Sequence, residues 1–265
     1  MFKNWMKEKI EADKIMDELS RVAHEEYQHR YDNWESEQSS HKRNLNVLDL
    51  MIGHNFKAKN EGRLDDVLDK DEIIGNLNLT VLVGSDTSQV SSNIGLTYIS
   101  ENEDLGEKLY EIVKDDDLYK ILTNDVVHRT LKETLRVGHF MSGSLNRLFI
   151  KDCVINGINI KKGHMVQVVH GANFRRESWF PNSEKFDIDR HLPENASKLE
   201  KGNFIPFSLG KRSCAGKNMG EIMVKLIFTV MLQKFEISKP EDFTRKFVKE
   251  VGFAVEKSLL ELKLR

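Results

Sequence analysis

Apolar residues at three- to four-residue intervals among charges open the chain. Trp5, Ile10, Ile15, Met16, Leu19, Val22 and Ala23 fall within residues 3–30 and predict an amphipathic surface helix. A polar loop is expected over 36–43, a short helix over 44–52 and an exposed loop over 57–63. From Asp71 the texture changes: residues 72–98 are apolar on nearly every side at their centre, the pattern of a helix running through a core. Residues 106–113 and 123–137 predict two more helices. Past Gly138 short β-rich runs appear at 147–150, 153–155 and 158–160, with the hairpin dipeptide Asn156-Gly157 between the last two and a further turn at Lys162-Gly163. Residues 172–203 are polar, aromatic and aperiodic, as in a long irregular connection. Helix returns over 215–233 with a stripe of Met219, Ile222, Met223, Leu226, Ile227 and Val230, and weak alternation over 243–264 suggests a closing hairpin.

Composition sharpens this outline. All four prolines of the 265 residues lie beyond position 180, which favours helix before it. Two cysteines, Cys153 and Cys214, exclude a disulfide framework. A net charge of −2, from 40 Lys+Arg against 42 Asp+Glu, provides no global field toward nucleic acid. The longest largely apolar run, 77–84, is interrupted by Asn78 and Thr80 and is far short of the roughly 20 residues that span a bilayer. Residues 1–20 have no apolar core and no cleavage site of a signal peptide. Neither a Walker loop nor a dinucleotide fingerprint occurs, so NADPH is not expected to bind this chain.

Candidate chemistry concentrates at residues 207–216. Cys153, on a predicted strand, reads as an ordinary small buried residue. Cys214 differs: it sits between a glycine-bearing loop and the first turn of a helix, where unpaired N–H groups and the helix dipole stabilise a thiolate, with Lys211 and Arg212 adding positive charge. Such a thiolate serves as a nucleophile or as an axial metal ligand. No Cys-His pair is evident nearby, which puts the ligand reading first.

Phe207, Gly210, Arg212, Cys214 and Gly216 match Phe-x-x-Gly-x-Arg-x-Cys-x-Gly at every defined position, and the segment resembles the haem-binding signature of the cytochrome P450 family. Upstream, in the family's order, Gly84-Ser85-Asp86-Thr87-Ser88 looks like the oxygen-activation segment of the I helix. Glu133-Thr134-Leu135-Arg136 looks like the K-helix Glu-x-x-Arg. Asp189-Arg190 resembles the meander Pro-Glu-Arg-Phe, with Ile188, Asp189 and His191 replacing Pro, Glu and Phe.

The resemblance implies a mainly α fold with small β-sheets, corresponding to the C-terminal portion of the P450 fold: long central I-type helix, K-type helix, meander, Cys loop and L-type helix. Residues 1–265 would form a single partial P450 domain, with 1–43 a peripheral helix and loop and 44–265 the haem-binding core; the family's N-terminal half would be missing. By the same resemblance Cys214 is the axial ligand of haem b. Phe207, Gly210, Arg212 and Gly216 frame it, and Arg147 meets a haem propionate. Asp86 and Thr87 manage protons and oxygen, while Glu133, Arg136 and Arg190 form a structural triad. Substrate is expected near Leu82, Val83 and Ser88 and the loop 138–145.

The expected activity is a haem-thiolate monooxygenase that activates O2 and inserts one oxygen atom into a small lipophilic organic substrate. Electrons would come from NADPH-cytochrome P450 reductase or a ferredoxin-type donor, docking near Lys211, Arg212, Lys217 and Lys225. The endoplasmic-reticulum membrane is one location for a full-length form. A catalytically inactive fragment and a P450-like isomerase or peroxygenase stay open as alternatives.

Overall fold

The structure is a computed structural model that describes residues 2–34, 46–114, 117–138, 145–195, 202–241, 246–250, 253–257 and 260–265; the side chains of 2–12, 145, 170, 246–250 and 253–257 are not described. The expected loop at 36–43, most of the loop 138–145 and parts of 196–203 and of the 243–264 hairpin lie outside the described residues. The chain divides into two compact units, Met1–Ser85 and Asp86–Arg265.

In the first unit α1 (Phe2–Asp32) and α2 (Val47–Asn60) enclose a small core with the start of α3 (Lys70–Ser100). The stripe expected on α1 is corrected here. Ile15, Met16 and Val22 are exposed, while Ala23, Tyr27 and Trp34 are buried against Leu48, Ile52, Ile73 and Ile74. Tyr27 and Trp34, two helical turns apart, bury more area than the scattered aliphatics, so they claim the core face. α2 is longer than its pattern suggests. Asn46 and Asp49 form a capping box at its start, and residues 57–60, read as loop, are its last charged turn. Arg30 Nη1 lies 3.0 Å from both carboxylate oxygens of the buried Asp49, tying α1 to α2.

The second unit packs the C-terminal part of α3 with α4 (Glu103–Val113), α5 (Leu118–Thr123), α6 (Asp125–Gly138) and α8 (Lys217–Lys234). α4 starts at Asn102, whose side chain accepts the Leu105 amide at 3.1 Å, and buries Leu105, Leu109 and Val113 at i, i+4, i+8. The helix expected over 123–137 is α6, which starts at Asp125 because Asn124 takes an extended backbone and caps it through the Val126 and Val127 amides; α5, just before it, is not read from the pattern. Gly95 allows close approach within this core: a Cβ there would lie 2.2 Å from the Phe228 ring and 2.9 Å from Thr134 Oγ1.

The sheets are small antiparallel pairs. β2 (Cys153–Ile155) and β3 (Ile158–Ile160) form the expected hairpin, with Asn156 and Gly157 at φ 48° and 80°, the left-handed pair that such a turn requires. β1 (Leu145–Leu148) pairs with β4 (Met165–Val168), a strand too short and too exposed to read from its pattern. α7 (His170–Phe174) follows. Beyond α8, β5 (Phe235–Ser238) pairs with β8 (Glu261–Leu264), and β6 (Lys246–Glu250) with β7 (Phe253–Lys257). Among the described residues no helix is long and apolar enough to cross a membrane.

Candidate functional site

Residues 204–216 run from the core into a tight loop and then into α8. Ser208 and Gly210 take left-handed backbone, φ 62° and 77°, and turn the chain back on itself. The Ser213 amide donates to the Gly210 carbonyl at 3.0 Å, and the Cys214 amide donates to the Phe207 carbonyl at 2.9 Å, closing the loop. Phe207 is half-buried against the main core and anchors one end. At the other end Gly216 precedes α8 without a side-chain cap, so the first-turn amides are left for other partners.

Cys214 sits on the surface. Lys211, Arg212 and Lys217 around it in sequence are exposed, as are Leu209 at 64% and Met219 at 57%. A Cβ on Gly216 would meet the thiol only at an ordinary contact distance of 3.9 Å. One exposed soft sulfur donor, with exposed apolar Leu209 and Met219 and cations within five residues of it in sequence, fits an iron porphyrin, whose ring is apolar and whose carboxylates are anionic. Among the described residues no cluster of three or more His, Cys, Asp or Glu could hold a bare metal ion.

Behind the loop lies a buried electrostatic lock. Glu133 and Arg136, one turn apart on α6, are both 0% exposed. Arg136 donates to the Glu133 carboxylate at 2.9 and 2.8 Å and to the carbonyls of Phe174 and Lys185 at 2.9 and 3.0 Å. The Asp187 amide reaches the same carboxylate at 2.9 Å. Arg190 lies beside it, Nε 3.4 Å from Glu133 and without a hydrogen bond among the described residues, while its outer nitrogens donate to the carbonyls of Pro181 and Asn182. Burial pushes the Glu133 carboxyl up, but hydrogen bonds from His191 and Arg136 and the Arg136 charge outweigh it and hold the group below the ordinary carboxylate value.

His191, read from sequence only as a replacement for Phe, is the member that pattern reasoning missed: its Nε2 lies 2.9 Å from Glu133. Arg129 was missed too. It is buried and bridges Asp125 to Asp189, so Asp189 pairs with α6. The signal was available, since Asp125, Arg129, Glu133 and Arg136 recur along one face of a helix that also carries Val127, Leu131 and Leu135 on its apolar positions.

The remaining expected residues are dispersed. Asp86 is exposed and Thr87 half-buried on α3, the Thr87 carbonyl accepting from Ser91 Oγ at 2.8 Å. α3 is α-helical throughout, without a local widening. Leu82 and Val83 are exposed, whereas Ser88 is 4% exposed and does not face open space. Arg147 is exposed on β1, and its guanidinium donates to the Asn146 carbonyl at 2.9 Å. Lys225 is not part of a surface basic face: it is 8% exposed and donates to the Leu122 carbonyl at 2.8 Å, and burial lowers its pKa. The apolar stripe read on α8 is buried only in part, with Ile227 packed against the core. Met219, Ile222 and Val230 are exposed, while Val224, Phe228 and Leu232 face the core.

A mainly helical fold with an outward-facing cysteine loop set on a buried Glu-Arg lock defines the class. The family model described as Cytochrome P450 matches residues 1–264, and the chain belongs to that family. It is 27% identical to a probable cytochrome P450 4ac3 of Drosophila melanogaster over 77% of this chain and 40% of the relative, and 28% identical to cytochrome P450 3A2 of Rattus norvegicus over 74% and 40%. The chain thus spans about 40% of the length of these curated relatives. Among solved structures the haem domain of cytochrome P450DA matches with a TM-score of 0.75 at 23% identity, covering 93% of this chain and 53% of that one. A cytochrome P450 titled CYP102L1 matches with 0.79 at 20%, covering 94% and 56%.

Proposed function

We propose that the chain carries the haem-binding core of a haem-thiolate monooxygenase, with residues 44–265 as that core and 1–43 peripheral to it. Cys214 would ligate the haem iron, framed by Phe207, Gly210, Arg212 and Gly216, and Arg147 would pair with a porphyrin carboxylate. Bound haem b supplies activation of O2 and insertion of one oxygen atom into a small lipophilic organic substrate. Cys214 contributes electron density as thiolate. Thr87 holds a proton at its hydroxyl, and exposed Asp86 exchanges protons with water. Glu133, Arg136 and Arg190 keep the chain behind the loop in place. Electrons come from a reductase or ferredoxin-type partner approaching the exposed Lys211, Arg212 and Lys217. The proposed setting of a full-length form is the endoplasmic-reticulum membrane.

The observation that carries this reading is the exposed Cys214, presented by a loop that its own amide closes onto Phe207. The full chain, titrated with haem and reduced under carbon monoxide, should give the red-shifted Soret band of a thiolate ligand, and Cys214→Ala should not. The same band in that variant would refute the assignment. Haem binding without product formation in the presence of a reductase would favour a non-catalytic fragment, and turnover with peroxide alone would favour a peroxygenase.

A further inference from the structure

We propose that His191 is a positioning residue for the cysteine loop: as the neutral Nε2–H tautomer it holds Glu133 and Phe204 together, and a second proton on its ring releases the loop. Glu133 already accepts from Arg136 and from the Asp187 amide, and as a carboxylate it can only accept. The proton in the 2.9 Å contact therefore belongs to His191 Nε2. Nδ1 is buried with no hydrogen-bond partner among the described residues. As a lone pair that position is tolerable; as an N–H it would be an unsatisfied buried donor on a cation.

The charged surroundings oppose that cation. From α6 come Lys132, Arg136 and His128 against the single negative Glu133, and from the same turn come Arg190 and Asp189, the latter already paired with Arg129. The other neighbours are apolar. The Phe204 ring centroid lies 5.2 Å from that of His191, and Phe174 packs 5.4 Å from Phe204. Burial, together with Lys132 and Arg136, lowers the His191 pKa despite its hydrogen bond to Glu133 and the Glu133 charge, which raise it.

The link to the loop is short. Three residues after Phe204, the Phe207 carbonyl accepts the Cys214 amide. A cavity of about 180 Å³ lies behind this segment, lined among others by Leu131, Leu135, Phe204, Phe207 and Leu209, so the loop has room to shift. Charging His191 would leave its contact to Glu133 in place but add a buried Nδ1–H with no acceptor, so the ring would have to turn or move to reach one, and that movement presses on Phe204, three residues from the Phe207 carbonyl that holds the Cys214 amide. The inference concerns the chain's own packing and stands apart from the haem assignment.

Hydrogen exchange of the Cys214 amide, corrected for the intrinsic pH dependence of exchange, tests it on the full chain at pH 7.5 and 5.5. In the wild type the acid sample should open about tenfold more, the effect of leaving one buried N–H without an acceptor. His191→Gln keeps a donor toward Glu133 but cannot titrate, so its opening should change with pH far less than the wild type's. His191→Phe keeps the ring packing and loses the donor, so it should be open at both. His128 is common to all three proteins and cancels. An equal acid response in wild type and His191→Gln would overturn the proposal. If neither variant folds, the His191 ring proton followed by NMR in the wild type decides: a midpoint at or above 6.5, the ordinary histidine value, would overturn it equally. Because no readout uses haem, a failure here leaves the Cys214 assignment standing, and a missing thiolate band leaves this latch standing.

Discussion

The Glu133 lock and the Cys214 loop belong to one compact unit and use similar residues, yet they are opposites in environment. Around Glu133 the carboxylate itself is fully engaged, with Arg136, the Asp187 amide, His191 and Arg190 converging on a group that is 0% exposed. Among the described residues of the lock, only Arg190 Nε and His191 Nδ1 lack hydrogen-bond partners. Around Cys214 the side chains face outward, and the loop is held by two backbone hydrogen bonds and by residues of positive φ. Ionic groups can be retained in a core only when fully satisfied, because each unpaired charge there costs several kcal/mol. A ligand site needs the reverse, a donor with one side left open. The difference separates residues whose loss should unfold the protein from residues whose loss should only empty it.

Removing the lock's acceptor is the strongest test. Glu133→Ala leaves the Arg136 guanidinium buried without its counter-charge and should cost about 3–5 kcal/mol in chemical unfolding, with haem retention falling in parallel. Wild-type stability in that variant would place the lock with ordinary surface ion pairs. Next in size, Gly95→Val drives a side chain into Phe228 and Thr134, and overpacking of this kind costs about 1–3 kcal/mol. It should lower the thermal midpoint while leaving the loop sequence untouched, so any haem loss would have to follow unfolding.

Acid should act on the lock before it acts on the loop. His191 and His128 are both lowered in the folded state, His128 to about 4 through burial and the charges of Lys225 and Lys132. Below the ordinary value of 6.5 the unfolded chain therefore binds protons that the fold refuses, so stability declines as pH falls from about 6.5 toward 4. Glu133 is also lowered, and its contribution, fully present above 4.5, is lost at still lower pH as its folded pKa is crossed. Unfolding midpoints measured across pH 4–8 check the sign; a flat profile would mean that neither histidine is held neutral.

The smallest stability effects belong to the loop and its surroundings. Cys214→Ala, at an exposed position, should change stability by no more than about 0.5 kcal/mol while abolishing the carbon monoxide band. Arg147→Ala, also exposed, should be equally silent in unfolding and should only speed haem loss to an acceptor protein. A large stability loss in either variant would erase the distinction between lock and loop.

Several features were determined by the sequence alone. The long α3, the Asn156-Gly157 hairpin, the Cys214 signature and the Glu133–Arg136 spacing all rest on local rules: helix period, turn dihedrals and residues fixed along one short segment. What only the tertiary structure decided is which face of a many-sided apolar helix is buried. α8 carries apolar residues nearly all round, and the close approach at Gly95 selected Phe228 over the Met219–Ile222–Val230 face. Long-range partners decided the rest. β4 exists because β1 lies beside it, Lys225 is buried because the Leu122 carbonyl receives it, and His191 enters the lock because the turn at 188–191 brings it to Glu133, 58 residues away in the chain. A pairing across such a separation leaves no period in the sequence, since its energy depends on distances that exist only after the chain has closed.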